Sequence, residues 1–120
     1  MILAGIFHPD PGYGFPPGVG APAEMLPTMS RHAMIHSAGF AIIMLSVIVG
    51  SFVFVRTFRA KGEGVMSLYS GATGVLIPML IAVAISTKTT GLFLFVGALA
   101  FGWVSVVAAR LRTDLKGVAR

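Results

Sequence analysis

Hydrophobic positions along this chain run on without interruption for more than twenty residues at a time. Three stretches, Ala33 to Val55, Val65 to Thr87 and Thr89 to Ala109, contain no Asp, Glu, Lys or Arg. At about 1.5 Å rise per residue each reaches roughly 31–36 Å as a helix, against a hydrocarbon core of about 30 Å. Strand-like alternation is missing. The pattern predicts three membrane-spanning helices, and hence an all-α integral membrane protein.

The segment before the first span has the opposite character. From His8 to Pro27 it holds six of the seven prolines, interleaved with Gly12, Gly14, Gly18 and Gly20. Proline removes backbone donors and glycine resists helix, so an irregular loop is expected here. Irregular backbone cannot face lipid, which places the loop in water or against helix ends. Met1 to Phe7 is apolar but too short to span, and lacks a basic region and cleavage site. It reads as an interfacial stub or as the tail of a preceding helix. Thr28 or Ser30 can cap the first helix. The chain thus divides into residues 1–31, stub and loop, and residues 32–120, a three-helix domain with a basic tail.

Charge fixes a direction for the bundle. Only 11% of the 120 residues are charged, against about 25% for a soluble domain. The net charge of +5 sits just beyond the span ends, an arrangement that suits a membrane surface better than nucleic acid. Arg56, Arg59 and Lys61 lie between the first two spans; Arg110, Arg112, Lys116 and Arg120 follow the third. The positive-inside rule makes both regions cytoplasmic, leaving the Pro/Gly loop and the Ser86–Gly91 connection outside. A multi-pass protein of a bacterial plasma membrane is the expected setting. Cysteine is absent, which removes disulfides, thiolate metal sites and cysteine nucleophiles.

Helices in lipid associate through close packing at small residues, because lipid is as apolar as leucine. Each span offers such positions: Gly39, Ser46 and Gly50 on the first; Ser67, Ser70, Gly71 and Gly74 on the second; Ala98, Gly102, Ser105 and Ala109 on the third. Pro78 removes a helical hydrogen bond and crowds the carbonyl of Gly74, so a bend is expected there. Trp103 and Tyr69 are expected to anchor at headgroup level, with Phe93, Phe95 and Phe101 adding apolar bulk.

Chemistry-bearing residues are few. His32 and His36, four apart, share a helical face near the outer end of the first span. They could contribute to a divalent-metal site, or His36 could respond to protons, but His8, Asp10 or Glu24 would have to complete any ligand set. Two histidines on one helix cannot ligate both faces of a haem. The plainer alternative is a His36 hydrogen-bonded to a neighbouring helix or to the loop. Asp10, held between Pro9 and Pro11, could cap a turn or meet Arg31. No phosphate-binding glycine loop, paired carboxylate or Ser/His/Asp constellation is present. No cofactor or metal is called for.

Several strings together resemble a known family. Phe7-His-Pro-Asp-Pro-Gly-Tyr-Gly-Phe-Pro-Pro-Gly18 precedes the helix with His36, and Arg56-Thr-Phe-Arg59 is followed by Leu68-Tyr-Ser-Gly-Ala-Thr-Gly74. This order is similar to the bacterial and archaeal membrane family known as domain of unknown function 998. The resemblance implies a bundle of about six helices, of which this chain would match the second half. It marks Asp10, Pro11, His36, Tyr69, Ser70 and Gly74 as the shared positions, and it implies no activity.

The function expected from these readings is non-enzymatic packing against membrane lipid and other transmembrane helices: a missing N-terminal half, a second copy or a larger complex. The alternative is a component of a small-solute or ion transporter that uses His36 and the Gly74–Pro78 kink.

Overall fold

A computed structural model describes Ile6 and residues 30–118 of the chain, with side chains through Lys116. Three helices follow one another: α1, Arg31–Ala60; α2, Gly64–Thr87; and α3, Gly91–Val118. Each contains a stretch long and apolar enough to cross a membrane. The Pro/Gly-rich loop, with Asp10 in it, lies outside the described residues.

Local chemistry explains where each helix stops. Ser30 caps α1, its Oγ accepting the Ala33 N–H at 3.1 Å. At the other end Gly62 takes φ +74°, letting Glu63 N–H donate to the Phe58 carbonyl at 2.8 Å. Glycine suits that left-handed position because it has no Cβ to clash. The same closure ends α2, where Thr89 N–H donates to the Ala84 carbonyl at 3.1 Å. Here the left-handed residue is Lys88, at φ +53°. A lysine there carries a local strain that a glycine would not. Both α1 and α3 run beyond their uncharged stretches, since long basic side chains can lay their stems on apolar surface and keep their charges in water.

The middle helix α2 contacts both neighbours, while α1 and α3 touch each other more sparingly. Met44, Val47 and Phe58 of α1 meet Ile77 of α2 and Val96, Ala100, Trp103 and Val107 of α3 in one buried cluster. Gly74 brings α2 close to α1: a Cβ there would stand 3.2 Å from the Phe52 ring and from the Ser51 Cβ. Outside this seam the surface is apolar, with Ile42, Leu45, Met79, Leu94 and Phe95 exposed. Such a surface is suited to hydrocarbon, where it carries no hydrophobic penalty.

Trp103 departs from its expected place at the headgroups. Its side chain is only 5% exposed and lies within the bundle. Its ring meets Phe54 edge-on at 5.8 Å and approaches Gly50, where a Cβ would lie 3.4 Å from the indole. Tyr69 is half-buried against the same cluster. Trp103 therefore serves helix packing, while Tyr69 packs on the cluster and stays partly exposed. An indole offers the largest apolar face available, and the absence of a side chain at Gly50 leaves room for it.

Candidate functional site

The interior of the bundle is polar in one zone. Ser51, Ser67, Ser70 and Thr73 are all buried. Hydrocarbon supplies no water to such groups, so each hydroxyl must find a partner within the protein. Ser51 donates to the Val47 carbonyl at 2.8 Å and Thr73 to the Tyr69 carbonyl at 3.0 Å, both one turn back. Ser67 reaches across to the Val55 carbonyl of α1 at 3.2 Å. Ser70 accepts the Trp103 indole N–H at 3.1 Å and so ties α2 to α3. No buried side-chain nitrogen or oxygen among the described residues lacks a partner. This is a satisfied seam, and among the described residues no base hydrogen-bonds to any of these hydroxyls to activate one as a nucleophile.

A second polar cluster closes the basic end. Lys61 Nζ lies 2.6 Å from Asp114, and Arg110 Nε lies 2.8 Å from Glu63. Arg110 also sits 4.0 Å from Asp114, one turn further along α3. The α1–α2 turn is thereby fastened to the end of α3. These pairs are partly open to solvent, so each contributes modestly to holding the turn against α3.

The expected site residues lie apart from both clusters. His32 is exposed and His36 half-buried in the first two turns of α1. Among the described residues no three His, Cys, Asp or Glu side chains gather to hold a metal ion. Asp10 lies outside the described residues. Pro78 sits within an unbroken α2, on an exposed position.

The small residues divide by location. Gly50, Ser70 and Gly74 stand at contacts between helices of this chain. At Gly39 and Gly102 no described residue lies within 4 Å of where a Cβ would stand. Ser46 and Ala98 are exposed, with the Ser46 hydroxyl turned to its own Ile42 carbonyl at 2.8 Å.

The third helix explains this division. Val96, Ala100, Trp103 and Val107 recur at four, three and four and face inward. Ala98, Gly102, Ser105 and Ala109 recur at the same intervals, and at about 100° per residue they fall on the opposite side. The two stripes share a periodicity, so spacing alone does not say which faces the bundle. The Trp103–Ser70 bond was not legible in advance either; the one available signal was a single indole N–H that needed a buried acceptor.

A sequence profile of the family described as "Protein of unknown function (DUF998)" matches residues 1–111. The chain belongs to the DUF998 family. No curated protein and no solved structure shows significant similarity to it. The DUF998 match takes in all three spans, the hydroxyl seam and the Arg110–Glu63 pair, and stops short of Asp114. DUF998 membership thus covers the architecture described above and assigns it no reaction.

Proposed function

We propose that this DUF998 chain is a non-enzymatic helix-packing component of a larger assembly in the bacterial plasma membrane. Its basic end and C-terminus face the cytoplasm. One observation carries the reading: α3 turns its bulky stripe inward and leaves a second, small-residue stripe on its other side, with no described residue within 4 Å of where a Cβ at Gly102 would stand. Helices meet in lipid at such small-residue faces, because there the backbones can approach closely. The partner is another transmembrane helix, from a second copy, from a separate chain or from further sequence of the same protein. The orientation follows from basic residues gathered at the Lys61–Asp114 end, with Lys88 and Arg31 at the other. The transport alternative has less to rest on, since the buried hydroxyls are all hydrogen-bonded within the described residues, Ser51 and Thr73 to their own helices and Ser67 and Ser70 across to a neighbour.

Gly102→Leu tests the reading. The unaltered protein should form a higher-mass species in mild detergent, and the substitution should remove it while leaving the helical content of the purified chain unchanged. A lone chain before and after the substitution would overturn the proposal.

A further inference from the structure

On the side of the bundle away from α3, a shallow groove of about 680 Å³ runs between α1 and α2 from the basic end toward the middle of the membrane. Gly71 and Ala72 of α2 line it together with Leu68, Val75 and Leu76, and Val55 lines it from α1. The Ser67 hydroxyl in its wall is already taken by the Val55 carbonyl, so below its mouth the groove offers mainly apolar surface. Arg59 stands at the mouth.

We propose that this groove binds one anionic phospholipid, with the phosphate on Arg59 and an acyl chain laid along α2. Three features of the groove support that occupant. From Gly64 to Leu76 it follows α2 for about 18 Å, close to the roughly 15 Å depth of one leaflet. A transmembrane helix would need a seat along both leaflets. The charge at the mouth is uncompensated: Arg59 has no acidic partner among the described residues, and the nearby Glu63 carboxylate is engaged by Arg110 at 2.8 Å. Basic residues beside transmembrane helices attract anionic headgroups, and a guanidinium matches the geometry of a phosphate. Finally, the groove lies open along its length, which lets a chain enter sideways from the bilayer.

The test uses the full chain in nanodiscs containing equal amounts of phosphatidylglycerol and phosphatidylcholine, with retained lipid counted by native mass spectrometry. The unaltered protein should retain phosphatidylglycerol preferentially. Arg59→Gln should lower that preference about fivefold. Arg56→Gln removes an exposed neighbouring charge that does not line the groove, and should leave the preference intact. Ala72→Phe should fill the groove and release the retained lipid, while circular dichroism confirms the fold. The proposal fails if Arg59→Gln keeps the full preference or if Ala72→Phe retains as much lipid. It fails equally if a second copy of the chain, rather than lipid, crosslinks to position 72.

Discussion

Replacing Ser70 by alanine strips away the hydroxyl that accepts the Trp103 indole N–H at 3.1 Å in the middle of the bundle. The donor is then left in apolar surroundings, at a cost of about 1–3 kcal/mol. Trp103→Phe removes the donor together with part of the ring that packs on Gly50 and Phe54, and costs about 1–3 kcal/mol. The Ser70 hydroxyl left behind can turn to the carbonyl one turn back, so that variant leaves no orphaned group. The double variant should therefore cost less than the two single changes added together. Interhelical hydrogen bonds in membranes contribute about 0.6 kcal/mol on average, with an upper value near 1.7, and the shortfall should lie in that range. Unfolding in mixed micelles of rising dodecyl sulfate, followed by circular dichroism, reads all four proteins without using the tryptophan as a probe. Strict additivity, within about 0.3 kcal/mol, would refute the claim that this bond joins α2 to α3.

Other expectations follow from the same contacts. Gly74→Ala should destabilise the chain by about 1–3 kcal/mol, because the new Cβ meets Phe52 and Ser51 at 3.2 Å. Gly71→Ala meets Val55 at an ordinary 3.5 Å and should be nearly neutral in the same assay. Lys88→Gly relieves the left-handed strain at the end of α2 and should stabilise the fold by about 1 kcal/mol. Lys61→Glu should speed hydrogen exchange in the last turns of α3, and adding Asp114→Lys should restore protection by rebuilding the pair with its charges reversed.

The three helices were legible because uncharged runs of this length have few other stable forms. Their ends were less so. Arg59 and Arg110 look like boundaries by charge, yet both lie within helices, because a long basic side chain can reach water from a helical backbone. The same-side placement of the α1–α2 turn and the tail followed from three antiparallel spans, and the Lys61–Asp114 and Arg110–Glu63 pairs give it a physical tie. Packing detail was harder to read. Trp103 looked like an interfacial anchor from its position near a span end, but tertiary contact with Ser70 and Gly50 draws it inward. Period alone cannot separate the two stripes of α3, since both repeat at four, three and four. Only the position of the neighbouring helices tells them apart. His36 stands out in sequence as an ionisable group near a span, while the structure offers no cluster of metal ligands around it among the described residues.

The claim that matters most is that the outer stripe of α3 meets another helix. A photo-crosslinking residue placed at Ser105, within that stripe, should give a higher-mass protein adduct when illuminated in native membranes. The same residue at Met79, which is 58% exposed on α2 away from the buried seam, serves as the lipid-facing reference. The account predicts a protein adduct at position 105 well above that at 79. Equal yields, or lipid adducts alone at both positions, would contradict it.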